Sequence, residues 1–281
     1  AKKMVNSWLI GTVIESTGDS QVFTAHEYES ASISNNNNEY VVAYCVKDSP
    51  DSASVIAKTI SKDGAILKEL IIAEGVNTNS CRSVNPKIIF DSINFVVTYR
   101  DNVSFEDDKN ASLVAKRISV DGHIIDDVPI LISNFRNHHN YSAHDAVFDG
   151  SNLVVVWYDI PEDSSDDPTR KIFATFITPN GTDNSPFTVH EFPEGFAPAY
   201  VPIVRSNKNN VLVAWYDQAN LYRPTLEVVE ISFDGNHLIG ETIKPISEDF
   251  SDHRSINITS SDSEFLISWQ AGNYQAPGGI H

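Results

Sequence analysis

The sequence predicts an all-β fold, a five-bladed β-propeller with four antiparallel strands per blade, and three observations carry that prediction. One apolar line recurs five times, at 39–44, 94–99, 152–157, 210–215 and 264–269, its copies 54 to 58 residues apart and each ending on an aromatic residue: Tyr44, Tyr99, Trp157, Trp215 or Trp269. These lines are rich in β-branched residues and have no helical period, which excludes a helical solenoid. The last unit runs out of chain soon after Trp269, and the strands it lacks are found at the other end, in 7–14 and 21–24. Pairing the two termini in one blade removes an open sheet edge and closes the ring.

Each unit divides into four strands. The recurrent aromatic line is the second, B. The third, C, follows at 54–60, 112–118, 171–177 and 225–231, and runs into Asp63-Gly64, Asp121-Gly122, Asn180-Gly181 or Asp234-Gly235. Asp-Gly and Asn-Gly supply the positive φ that a tight hairpin requires. The fourth, D, is the apolar run at 66–72 and 124–132, and the first, A, precedes the aromatic line at 86–90, 144–148, 201–204 and 255–258. The prediction is one domain over 1–281, with blades at 27–76, 85–133, 144–192, 200–247, and 254–273 completed by 7–24.

Composition sets the class of partner. Acidic residues outnumber basic ones 38 to 20, a formal net charge of −18, so a phosphate backbone and an anionic membrane are repelled. No apolar run approaches the roughly 18 residues that span a bilayer. The expected partner is a glycan or protein ligand, with neither nucleic acid nor membrane insertion, and the expected state is a monomer or a module of a larger protein. Two cysteines, Cys45 and Cys81, map to the same end of the first blade and can form one disulfide, which belongs to an oxidising compartment. The expected location is extracellular or at the cell surface.

In such a fold the loops from B to C and from D to A open on one face, where ligands bind. Just beyond the five aromatics stand Cys45-Val46, Arg100-Asp101, Tyr158-Asp159, Tyr216-Asp217 and Gln270-Ala271. A carboxylate beside an aromatic ring suits a sugar, accepting hydroxyl hydrogen bonds while the ring offers a flat apolar face; the same Asp can also serve a turn alone. With Tyr200 and Arg254 at the start of A strands, the ligand-binding candidates are Arg100, Asp101, Tyr158, Asp159, Tyr200, Tyr216, Asp217, Arg254 and Gln270. The candidate catalytic pair, if the chain is an enzyme, is His144 with Asp145. Histidines gather at His138, His139 and His144, with His26 and His253 on the same face, but no helical metal-binding spacing accompanies them, so no metal site is expected. No cofactor is expected; the acidic B-to-C loops at 101–108 and 162–167 offer carboxylates to calcium as an alternative, but they lack EF-hand spacing.

The line of aromatic-Asp, loop, then Ala115-Lys-Arg-Ile-Ser-x-Asp121-Gly122 resembles the propeller repeats of secreted bacterial and archaeal surface proteins. That resemblance covers almost the whole chain through structural residues, and implies a fold and an extracellular setting. The blade count is similar to that of tachylectin-type lectins, whose repeat motif is not seen here. It is also similar to that of arabinanase-type glycoside hydrolases, which carry two Asp and one Glu at the starts of A strands in different blades. Here only Asp145, with Glu29 as a second, stands in such a place. The expected function is therefore a non-catalytic glycan- or protein-binding module. The alternatives are a glycoside hydrolase or lyase acting on polysaccharide, and a structural surface-layer or virion component.

Overall fold

The structure is a computed structural model that describes residues 30–78, 80–102, 111–134, 144–159, 170–178, 186–192, 202–207, 210–217, 225–233, 238–239, 242–243 and 252–272. The strands expected at 7–14 and 21–24 lie outside the described residues. The chain divides into two compact units, Ala1–Asn134 and Phe135–His281.

The first unit holds two four-stranded antiparallel meanders. One runs β1 (Ala31–Asn35), β2 (Glu39–Ser49), β3 (Ser52–Ser61) and β4 (Ile66–Asn77). The other runs β5 (Lys87–Phe90), β6 (Asn94–Asp101), β7 (Ser112–Ser119) and β8 (Ile130–Asn134). The B strands are buried on both faces, as in Phe95, Val96, Val97 and Tyr99, which is why they read as continuous apolar runs without alternation. At the seam between the sheets, serine hydroxyls do the work of a ladder: Ser32 Oγ accepts from Ile88 N (3.1 Å) and Ser34 Oγ from Phe90 N (3.0 Å).

The second unit repeats the meander in β9 (His144–Phe148), β10 (Leu153–Asp159), β11 (Lys171–Ile177) and β12 (Phe187–Glu191). Next come β13 (Ile203–Ser206), β14 (Asn210–Asp217) and β15 (Thr225–Phe233), edged by β16 (Leu238–Ile239) and β17 (Thr242–Ile243). The pair β18 (Asp252–Ser260) and β19 (Phe265–Gly272) follows. Between the first two sheets of this unit lies a core of Val154, Val156, Tyr158, Ile172, Phe192, Val204, Val213 and Trp215, all buried. The expected fold class therefore stands as all-β, with four-stranded antiparallel sheets of the propeller-blade type.

One end of the sheets is uniform. In each of the five described A-to-B turns a short polar side chain accepts backbone N–H groups from the residues at or just before the start of the B strand. Asn36, Asp91, Asp149 and Asn207 do so through Oδ1 and Ser261 through Oγ, at 2.6–3.3 Å. The C-to-D hairpins at Asp63-Gly64 and Asp121-Gly122 form as the turn chemistry demands, with φ of 92° at Gly64 and 77° at Gly122. Ser61 and Ser119 close them by bonding to Asp63 and Asp121, and these exposed carboxyls are held below their ordinary range by the hydroxyl.

The fourth strand of the second sheet departs from the expected 124–132. Ile124 makes a single bridge to Ile118, and the regular strand begins only at Ile130. The reason is Asp126. Its carboxylate takes Arg117 N (2.8 Å) and the Arg117 guanidinium (2.6–3.2 Å), so a side chain occupies the place where a strand would offer backbone carbonyls.

Candidate functional site

The other end of the sheets, where B strands leave and A strands begin, differs from sheet to sheet. In the first sheet a disulfide joins Cys45 of β2 to Cys81, with Cα atoms 5.4 Å apart, and both residues are buried. The expected bridge is thus present. Cys81 opens a single helical turn, Cys81–Val84, capped by the Ser80 hydroxyl on Arg82 N (3.2 Å) and closed by Asn85, whose φ of 44° is left-handed. Asn85 Oδ1 in turn accepts from Ser30 at the start of β1 (2.9 Å). Lys47 crosses from β2 to donate to the carbonyls of Thr78 (2.7 Å) and Pro50 (2.8 Å), and desolvation holds its pKa below the ordinary lysine value.

This clamped segment supplies the acceptor for the second sheet's polar residue. Arg100 is only 3% exposed, and its guanidinium donates to Ser83 O at 3.5 Å. Asp101 follows on the last rung of β6, opposite Ser112, its Oδ1 accepting Asn102 N (2.9 Å).

In the second unit Tyr158 is turned inward, 7% exposed and edge-on to Phe192 at 6.5 Å. Burial pushes its phenol up to about 12. Phe192 also meets His190 (4.6 Å between ring centroids), which lies 4.9 Å from the Trp215 ring. Asp159 is buried on the last rung of β10 opposite Lys171, and Asp217 holds the same rung of β14 opposite Thr225. Asp101, Asp159 and Asp217 therefore share one register position at the ends of three consecutive B strands.

His144 is fully buried and pairs with Trp157 on the first rung of β9. Asp145 is engaged between sheets: its Oδ2 accepts Val204 N (3.1 Å) and the Arg205 guanidinium (2.7 Å). Its rung, opposite Val156, matches that of Ser32 opposite Ala43, and it grips the neighbouring A strand one residue beyond the matching rung just as Ser32 does. The backbone of Tyr216, Asp217, His253, Arg254 and Gln270 is described without their side chains. His26, Glu29, His138, His139, Tyr200 and the acidic loop stretches 103–108 and 162–167 lie outside the described residues. Among the described residues no three His, Cys, Asp or Glu side chains converge on a possible metal position, and no helix is long and apolar enough to cross a membrane.

Sequence reasoning missed the aromatic cluster of His190, Phe192 and Trp215, whose rings come from different sheets. The only signal is Phe192 directly following the polar end of β12.

No family model and no curated protein matches the chain. Solved structures of similar fold do. An α-L-arabinofuranosidase from Lactobacillus brevis aligns over 89% of this chain and 85% of its own at 10% identity, with a TM-score of 0.48. An α-L-arabinanase from Cellvibrio cellulosa, in complex with arabinohexaose, aligns over 79% and 78% at 11% identity, TM-score 0.45. A Synechocystis apocarotenoid oxygenase aligns over 88% of this chain and 57% of its own at 8% identity, TM-score 0.50. At such identities the likeness is one of fold. The expectation of a non-catalytic glycan- or protein-binding module is corrected by these findings, since the solved structures of similar fold include an arabinofuranosidase and several arabinanases.

Proposed function

We propose that this chain is a glycoside hydrolase acting on a neutral polysaccharide, with its chemistry at the end of the sheets where the B strands leave. The observation that supports this reading most is the shared rung of Asp101, Asp159 and Asp217. Hydrolysis of a glycosidic bond needs two carboxyl groups on either side of it: one protonates the leaving oxygen while the other takes a proton from the attacking water or attacks the sugar itself. Neighbouring B strands that end in Asp on the same register rung meet the first requirement for such a pair, and we assign Asp159 and Asp217 to it. The glycan-cleaving neighbours support the same substrate class, and a net charge of −18 disfavours polyuronates.

In this reading the chain is a single five-bladed ring closed by 7–24, exported through an oxidising compartment that forms Cys45–Cys81. Tyr200, Tyr216, Arg254 and Gln270 are the candidate sugar contacts, while Arg100 and Tyr158 are buried and serve the scaffold. Asp145 has a structural part, as the carboxylate version of the Ser32 link.

The test is release of reducing ends from a panel of neutral polysaccharides that includes arabinan. Asp159→Asn and Asp217→Asn are each expected to lower the rate at least ~100-fold, whereas Asp145→Ser, which copies the Ser32 link, retains turnover. Silence of the wild type on the whole panel, or full activity of both Asn variants, would overturn the assignment.

A further inference from the structure

A run of rings lies between the third and fourth sheets at their divergent end. Tyr158 of β10, Ile172 of β11 and His190 of β12 stand opposite one another in one row, so their side chains share a face. Phe192 follows on that face, tied down by its N–H to the Arg170 carbonyl (2.8 Å). The rings then continue in contact: Tyr158 edge-on to Phe192, Phe192 edge-on to His190 (4.6 Å), and His190 against Trp215 of β14 (4.9 Å). The first ring stands one residue before Asp159 and the last two residues before Asp217.

A bulge aims His190 and Phe192 this way. Phe173 pairs with Thr188 and Ile172 with His190, so Val189 is an extra residue in β12. Without it His190 would fall opposite Lys171 and point to the other face. The same step occurs in the first two sheets, where Ile72 and Ile132 are the extra residues. The residue that follows is small in both, Ala73 in the first sheet and Ser133 in the second. Of the three, the third sheet alone presents a ring there. Protein interiors are close-packed and transmit strain, so a row of rings between two sheets fixes the gap that they fill. We propose that the His190–Phe192 pair is a spacer that sets the separation of the Asp159 and Asp217 rungs, which makes His190 a positioning residue. Its bearing on hydrolysis rests on the hydrolase reading: two carboxyl groups act on one glycosidic bond only at a set separation, and a misplacement of about 1 Å can cost about 100-fold in rate.

The experiment combines crystal structures with steady-state kinetics on arabinan for the wild type, His190→Ala, His190→Asn and His190→Phe. Ala and Asn both remove the ring, and Asn keeps a polar group, so the set separates packing from hydrogen bonding. Both ring-less variants are expected to move the Asp159 and Asp217 Cα atoms relative to each other by about 1 Å and to lower kcat about 100-fold with KM little changed. His190→Phe, which puts a ring back, is expected to recover the wild-type separation and most of the rate. An unmoved separation in both ring-less variants, full kcat for both in an active enzyme, or recovery by Asn but not by Phe would overturn the spacer. A wild type silent on the whole neutral panel would sink the hydrolase reading instead, and the Cα separation would still decide the spacer.

Discussion

The two ends of the sheets obey different rules. At the A-to-B end, five turns use one device, a short Asn, Asp or Ser side chain capping the backbone of the next strand. At the opposite end each sheet is finished differently: a disulfide and a lysine bridge in the first, a buried arginine in the second, and inward-turned Tyr158 with buried Asp159 in the third. Uniform chemistry across repeats is what a scaffold needs to keep its spacing. Divergence at equivalent positions means that each residue answers to its own surroundings, which is where a single asymmetric site can be built on a repetitive frame.

Three perturbations sharpen that contrast. The largest effect is expected at the divergent end. Replacing Cys45 and Cys81 together by alanine should cost about 2–5 kcal/mol, read as a lower denaturant midpoint, and should increase hydrogen exchange first in 80–85, the segment that carries the Arg100 acceptor. Next comes alkaline pH. Burial holds the Tyr158 phenol neutral up to about 12 against an ordinary 10.0, so between about pH 10 and 12 the unfolded chain releases a proton that the folded chain keeps. Stability therefore falls as pH rises through that window, and Tyr158→Phe should flatten this part of a stability-against-pH curve. The smallest effect belongs to the uniform end: Asp149→Ala removes an acceptor from Ser151 N and Asn152 N and should cost about 1 kcal/mol. An Asp149 effect as large as that of the disulfide would erase the distinction between the two ends.

The scaffold was legible because its signals are local. Apolar runs of fixed length, Asp-Gly turns and a 54 to 58 residue spacing all act within one blade. The caps were legible too, though unread: an Asn, Asp or Ser stands three or four residues before each B strand's opening residue, at 36, 91, 149, 207 and 261. The site was harder to see, because its residues are defined by distant partners. Asp145 reads as a candidate acid from its place at the start of an A strand, yet its bonds are to Val204 and Arg205, and no local pattern announces a contact across 59 or 60 residues. Arg100 and Tyr158 read as exposed ligand contacts because their residue types are usually at the surface. Both are buried, one beside the disulfide-held segment and one against Phe192.

Glycan hydrolysis is here assigned to the carboxylates on the shared B-strand rung. Its most direct measurement is reducing-end release from arabinan by the wild type, by the Asp159→Asn, Asp217→Asn double variant, and by Asp145→Ser. Turnover is expected from the wild type and from Asp145→Ser, and none above the uncatalysed rate from the double variant at an unchanged melting temperature. Equal turnover by the double variant and the wild type would contradict it.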